Sequence, residues 1–212
     1  MKLYNYFRSS ASYRVRIALA LKGLSYEYIS VHLAKGEHQL QPYQSLVADG
    51  LVPMLQEDEH QLSQSLAIIE YLDATYPVHP LLPSNPFERA VVRGLALSIA
   101  CEIHPLNNLR VLKYLAAELK QSEEQKNQWY RHWVREGLES FERQLQKLPT
   151  STYCFGESPS LADCCLVPQI FNAKRFNCDL TGLPRTIAVF DACMKHPAFD
   201  STQPAKCPDF EA

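Results

Sequence analysis

An α/β domain followed by an all-helical domain is what this sequence predicts, on three observations. Over the first 82 residues the apolar period switches several times between two and 3.6; prolines then cluster at Pro77, Pro80, Pro83 and Pro86; helical periodicity alone governs most of the remaining chain. The expected organisation is a mixed domain over residues 1–82, a linker over 83–87 and a helical domain over 88–212.

Lys2-Leu3-Tyr4-Asn5-Tyr6 alternates like a strand, and a helical pattern runs from about Ser12 through Leu21 to a stop at Gly23. Tyr26–Val31 is rich in strand formers, and Leu51–Leu55 with the short Gln61-Leu62 segment suggests two more strands around the acidic turn Glu57-Asp58-Glu59. From Ser65, a good N-cap, Leu66, Ile69, Leu72 and Tyr76 fall on one helical face. Beyond the linker, Glu88–Ile103, Asn107–Leu119 and Glu123–Leu148 have helical periodicity. Ser160-Leu161-Ala162-Asp163 reads as a capping box opening a further helix. The final stretch, with Pro197, Pro204 and Pro208, has weak periodicity and is expected to be an irregular surface tail.

A formal net charge of -2, with 21% charged and 46% hydrophobic residues, argues against a disordered chain or a nucleic-acid binder and leaves small-molecule chemistry as the default. No segment approaches the roughly 20 apolar residues of a membrane span, and the N-terminus lacks the regions of a signal peptide, so a cytoplasmic protein is expected. The seven cysteines all lie from Cys101 onward and show neither C-x-x-C nor zinc-ligand spacing, so no metal is expected and the thiols read as reduced.

The strongest local signal is Arg8-Ser9-Ser10-Ala11-Ser12-Tyr13-Arg14, between the first strand and the first helix. Hydroxyls at a helix N-terminus, where unpaired N–H groups point outward, favour an anion such as a thiolate. From the turn alone, Ser10 or Ser12 reads first as an ordinary cap. Val52-Pro53 heads a strand where proline cannot donate to a ladder, suggesting a special turn or a cis peptide. Gln64-Ser65 then opens the next helix, so an exposed Val52 main chain beside a polar helix start would suit an extended peptide-like ligand with a carboxylate, while capping explains Gln64 and Ser65 equally well.

These residues belong to a wider resemblance. The N-terminal half resembles the thioredoxin-like domain (βαβ-ββα) of soluble glutathione transferases, and SSASYRVRIALALKG is similar to the zeta-class signature S-S-C-x-W-R-V-R-I-A-L. The likeness continues through QSLAIIEYL, the linker, HPLNNLRVLKYL, SLADCCLVPQ and RFNCDLT, so nearly the whole chain resembles the zeta-class family, which includes bacterial maleylacetoacetate and maleylpyruvate isomerases. The resemblance implies glutathione as coenzyme, with Ser9 and Ser10 facing its sulfur beside Ala11, Val52 and Pro53 along its cysteinyl backbone, Gln64 and Ser65 at its γ-glutamyl end, and His38 nearby. It also places His104 and Asn108 against the ligands, and gives Arg8, Arg110 and Arg175 to the carboxylates of a small diacid, with Arg8, Ser9 and Ser10 at the chemistry. A homodimer is expected on the same ground.

Spacing alone is less generous: His104 and Asn108 are an i,i+4 pair, whereas Arg110 would point away in an unbroken helix unless Pro105 interrupts it. Read without the resemblance, Arg110 and Arg175 are exposed or ion-paired and His104 packs or caps; Arg14 and Arg16 could form ion pairs, and Trp129 with Trp133 packs as an i,i+4 pair. The sequence departs from the zeta signature at Ala11, where Cys is usual, and at Tyr13, where Trp is usual. With no thiol in the turn, the nucleophile is expected to be glutathione's own sulfur, and a thioredoxin-type oxidoreductase is disfavoured.

The implied reaction is cis-trans isomerisation of maleylacetoacetate to fumarylacetoacetate in phenylalanine and tyrosine breakdown, by thiolate addition, bond rotation and elimination. Maleylpyruvate isomerisation is the nearest alternative, followed by conjugation or dehalogenation of small α-halo acids and by a non-catalytic binding module of the same fold.

Overall fold

Four short strands form one sheet in the order β2-β1-β3-β4. Alternation buries Leu3 and Asn5 of β1 (Lys2–Asn5), which pairs parallel with β2 (Glu27–Ser30) and antiparallel with β3 (Met54–Glu57); β4 (His60–Ser63) closes the far edge antiparallel to β3. A parallel β1–β2 pair needs a crossover, supplied by α1 (Ser10–Leu21), which Gly23 at φ 66° terminates. The computed structural model describes residues 1–211.

The register matters more than the strand count. Tyr4 pairs with Met54, Met54 with Ser63, and Asn5 with Ser30. The end of β1, the entry to β3, the exit from β4 and the loop after β2 therefore all lie at one end of the sheet. A cluster of Tyr6, Phe7, Val31, Tyr43, Val47, Val52, Met54 and Cys207 packs there. The loop after β2 contains a 3₁₀ turn, Glu37–Gln39, and the short α2 (Gln41–Gln44), which periodicity in the sequence does not distinguish. Gly50, at φ 61°, passes so close to this turn that a Cβ would sit 2.8 Å from the His38 carbonyl oxygen. α3 (Ser65–Thr75) follows β4 and packs against α1.

The chain divides into two units: Met1–Leu81 with everything from Met194 onward, and Leu82–Cys193. The expected helical domain over 88–212 is corrected at its end, for the final stretch joins the first unit. There α9 (Pro197–Ser201) packs on α1, the buried Phe199 offers its carbonyl to the Tyr13 hydroxyl at 3.2 Å, and Thr202 offers its own to Arg16 Nε at 3.3 Å. Weak periodicity concealed this because the segment is held by isolated buried side chains such as Phe199 together with carbonyl acceptors, rather than by a repeating apolar stripe.

The second unit is helical, with α4 (Pro86–Ala100), α5 (Leu109–Ala117), α6 (Glu123–Gln146), α7 (Leu161–Arg175) and most of α8 (Pro184–Lys195). Asn85 caps α4, and the Ser160–Asp163 box caps α7 as expected. Asp163 is fully buried and accepts from Cys154 N (2.8 Å), Ser160 N (2.8 Å) and Ser160 Oγ (2.7 Å). Burial raises this carboxyl above its ordinary range, and the donors oppose that shift. The expected helix over Asn107–Leu119 is corrected: a 3₁₀ turn spans His104–Asn107, Asn108 at φ -65°, ψ 148° leaves the helical region, and α5 begins after it. Pro105 thus does interrupt the pattern, and His104 and Asn108 do not share an α-helical face. α6 packs so near Ile103 that a Cβ at Gly137 would fall 2.2 Å from its Cγ1.

Candidate active site

The first unit gathers the turn residues at one end of its sheet. Ser9, not Ser10 or Ser12, is the N-cap of α1: its Oγ accepts from Ser12 N at 3.2 Å. A hydroxyl whose oxygen accepts in a helix cap keeps its proton for another partner, so the Ser9 cap retains an O–H donor. The Ala11 N–H adds one of the orphan donors of the first turn. Ser10 is buried behind them.

Val52-Pro53 is a cis peptide, as the proline at the strand head suggested. The Tyr43 hydroxyl donates to the Leu51 carbonyl at 2.6 Å and so fixes the peptide that leads into it. The Val52 main chain lies just outside the β3 ladder, which starts at Met54, and among the described residues none hydrogen-bonds to its N–H or C=O. This is an open strand edge of the kind that pairs with an extended peptide.

Gln64, not Ser65, is the N-cap of α3; it sits at φ 70°, ψ 110°, and its side chain makes no cap hydrogen bond. A glutamine held at positive φ stores strain of about 1–3 kcal/mol, and here it leaves the first-turn N–H groups of α3 without a side-chain cap. Beneath them lies Arg14, 3% exposed, whose Nη1 donates to Ser65 Oγ at 3.3 Å while its Nε has no partner among the described residues. The helix dipole, Ser65 and the Arg14 cation therefore all favour an anion at the start of α3.

The ion pairs considered for Arg14 and Arg16 are not what these residues make. Arg16, 1% exposed, donates to Asn5 Oδ1 (3.1 Å), the Tyr6 carbonyl (3.4 Å) and the Phe7 carbonyl (3.1 Å). It ties the β1–α1 turn to its own helix. Basic residues two apart, flanked by Val15, Ile17, Ala18 and Leu19, could have signalled burial, because such a helix has no clean polar face. Arg8 is exposed; its Nη2 donates to the Glu211 carbonyl at 3.1 Å and its Cζ lies 5.0 Å over the Phe7 ring. His38 lies half-buried in the 3₁₀ turn after β2, at the same end of the sheet.

The second unit places the remaining candidates around one turn of α6. Trp129 Nε1 donates to the Leu106 carbonyl at 2.8 Å, holding the 104–107 turn. Tyr130 stacks on Phe176 with ring centroids 3.8 Å apart, and Arg131 Nε donates to the Phe176 carbonyl at 2.9 Å, holding the end of α7. His104, Asn108 and Arg110 extend from the first tether and Arg175 from the second. Asn108 caps α5, accepting from Arg110 N at 3.1 Å; Arg110 is exposed; Arg175 lies with its Cζ 4.7 Å from the Phe176 ring centre. No sequence signal marked Asn107, which is buried with neither side-chain polar atom partnered among the described residues. The Trp129–Trp133 rings do pack on each other, edge to face at 5.7 Å.

No group of three or more His, Cys, Asp or Glu side chains among the described residues could hold a metal ion. None of the seven cysteines lies in the β1–α1 turn, and the described residues contain no disulfide.

Residues 1–74 match the family model of the glutathione S-transferase N-terminal domain and residues 123–199 that of the C-terminal domain. The chain belongs to the glutathione S-transferase family, in its zeta class. A maleylacetoacetate isomerase of Pseudomonas aeruginosa is 48% identical over the full length of both chains. The solved holo structure of a maleylpyruvate isomerase, described as a bacterial zeta-class glutathione S-transferase, superposes with a TM-score of 0.98 at 45% identity, covering all of both chains. A maleylacetoacetate isomerase from Methylobacterium extorquens, solved with bound malonate and glutathione, gives a TM-score of 0.96 at 33% identity, again over all of both chains. The first unit's fold is the thioredoxin-like half of this architecture, and the helical unit its partner half.

Proposed function

We propose that this protein is a glutathione-dependent cis-trans isomerase that converts maleylacetoacetate to fumarylacetoacetate. The observation that carries the reading is the combination at the end of the first unit's sheet: an open Val52 main chain, an uncapped and strained start to α3, and a hydroxyl turn with no thiol of its own. These features fit glutathione, a peptide-like ligand with a γ-glutamyl carboxylate and a thiol. Val52 offers it N–H and C=O. Ser65 and the first-turn N–H groups of α3 take the carboxylate, with Gln64 alongside.

When bound, glutathione supplies a thiol whose sulfur adds reversibly to one alkene carbon, so that the bond to its neighbour can rotate before the double bond reforms. The chain's task is to keep that sulfur ionised and to hold the diacid. Ser9 donates its hydroxyl proton toward the sulfur position while its oxygen stays committed to Ser12 N, and Ser10, Ala11 N–H and the α1 dipole add to the stabilisation of negative charge. Pro53 fixes the turn that presents Val52, and His38 stands in the neighbouring loop. Arg8, Arg110 and Arg175, permanently cationic and able to bind carboxylates bidentately, hold the two ends of the diacid and the negative charge that develops on it; His104 and Asn108 complete the ligand contacts.

Phenylalanine and tyrosine breakdown is the pathway this substrate implies. A homodimer and a cytoplasmic location go with the reading; the reduced thiols fit the latter. Maleylpyruvate is a second candidate substrate, favoured by the full-length match to a maleylpyruvate isomerase at TM-score 0.98. The test follows the ultraviolet absorbance of maleylacetoacetate, and separately of maleylpyruvate, with purified protein with and without glutathione. Glutathione-dependent conversion to the fumaryl isomer without loss of thiol is the expected result. Thiol consumption would instead indicate conjugation, and glutathione binding without turnover a non-catalytic module.

A further inference from the structure

The chain's last described residues are bonded to the β1–α1 turn. Asp209 Oδ2 accepts from Phe7 N at 3.2 Å and from Ser30 Oγ at 3.0 Å, and its Oδ1 accepts from the Tyr28 hydroxyl. The Phe210 ring meets the Phe7 ring edge to face, centroids 5.5 Å apart, although Phe210 is 45% exposed and gains little from burial alone. The Glu211 carbonyl accepts from Arg8 Nη2 at 3.1 Å, and its carboxylate is anchored by Lys35 Nζ (2.5 Å) and His32 Nε2 (3.1 Å). His32 Nδ1 accepts from Lys35 N at 3.1 Å, so the ring proton lies on Nε2 and faces Glu211 even when the imidazole is neutral. Three consecutive tail residues thus hold two consecutive turn residues: the backbone of Phe7, the ring of Phe7, and the guanidinium of Arg8 that lies over that ring.

We propose that Asp209, Phe210 and Glu211 are positioning residues for Arg8, fixing where its guanidinium meets a substrate carboxylate. An exposed arginine free in all its torsions loses conformational freedom on gripping a ligand, and the tail removes that loss in advance. The Glu211 carbonyl is neutral, so it orients the guanidinium without cancelling its charge and leaves its other N–H groups available. The proposal rests on the reading of Arg8 as a carboxylate-binding residue of the isomerase.

The experiment is a double-mutant cycle between a chain ending at Pro208 and Arg8→Met. Each chain is measured for kcat/KM on maleylacetoacetate, for malonate affinity at saturating glutathione, and for glutathione affinity. The truncation should lower kcat/KM and malonate affinity by about tenfold when Arg8 is present and by less than about twofold in the Arg8→Met chain, with glutathione affinity unchanged. Equal losses in both backgrounds, which a merely structural tail would give, or no loss in either, overturn the proposal. If the truncated chain does not fold, full-length Phe210→Ala takes its place in the same cycle. A cost from Arg8→Met with none from the tail removes the tail's role and leaves the isomerase reading intact. If the full chain does not turn over, malonate affinity decides: a loss on truncation that needs Arg8 upholds the tail's role while the isomerase reading falls, and an absence of malonate binding overturns both.

Discussion

Ser9 and Ser65 carry different loads although both sit at helix starts. Ser9 Oγ accepts from Ser12 N, so Ser9→Ala removes a cap as well as an O–H donor. The expected outcome is a stability loss of about 1 kcal/mol, together with a rise of about one unit in the pKa of bound glutathione's thiol, followed by urea unfolding and by thiolate absorbance against pH. An unchanged thiol pKa would move the role to Ser10 and the Ala11 N–H. Ser65 caps nothing and accepts a hydrogen bond from Arg14. Ser65→Ala should weaken glutathione binding about tenfold, the value of one charge-assisted hydrogen bond, and cost about 1–3 kcal/mol of stability because the buried Arg14 guanidinium loses its acceptor; calorimetric titration that finds wild-type affinity would remove Ser65 from the site. Arg110, exposed at the start of α5, is the complementary case. Arg110→Ala should cost about 10- to 100-fold in kcat/KM and leave glutathione affinity untouched, whereas normal kinetics would return it to the role of an ordinary surface residue.

Among the elements, α6 and α8 cap each other through side chains far apart in sequence. Glu142, in α6, accepts from Thr186 N (2.8 Å), Thr186 Oγ1 (2.7 Å) and Arg185 N (3.2 Å) at the start of α8. Arg185 in return donates to the Leu145 carbonyl and to those of Leu148 and Pro149, both at 2.9 Å, at the end of α6. Burial pushes the Glu142 carboxyl up, but the Thr186, Arg185 and Gln146 donors outweigh it and hold the group below its ordinary 4.5. A folded-state pKa below the unfolded one means the unfolded chain takes up the proton first as pH falls. The stabilisation is therefore complete above the ordinary carboxylate range and is lost as pH drops through the folded value. Glu142→Gln should cost about 2–3 kcal/mol near neutral pH, and urea midpoints of the two proteins should converge as pH falls below the ordinary carboxylate range. Parallel curves at all pH values would rule out the carboxylate as the cause.

At the scale of the molecule, the segment from Met194 onward is structurally part of the unit that begins the chain. Phe199 is fully buried and its carbonyl accepts from the Tyr13 hydroxyl. Phe199→Ala is expected to cost about 3–5 kcal/mol, with loss of hydrogen-exchange protection centred on α1 rather than on α4 or α6. Loss of protection confined to the second unit would contradict that placement. The proposed homodimer predicts gel filtration at twice the chain mass at micromolar concentration, and elution as a single chain would count against it.

Features set by neighbours within a few residues are legible in the amino-acid sequence itself. Gly23 stops a helix because it adopts positive φ, and the Ser160–Asp163 box works because both partners lie within one turn. Val52-Pro53 marks a special turn because proline has no N–H to give a ladder. The proline cluster likewise falls where one unit gives way to the next. Tertiary structure alone decided that Gln64 rather than Ser65 precedes α3, that Arg14 and Arg16 are buried on neutral oxygens, and that the tail returns to the first turn. Each of these depends on an acceptor or a ring tens to hundreds of residues away, or on a strained backbone angle held by its surroundings. Periodicity and propensity report which face of a segment is apolar; they carry no record of which distant carbonyl will meet a guanidinium once the strands are in register.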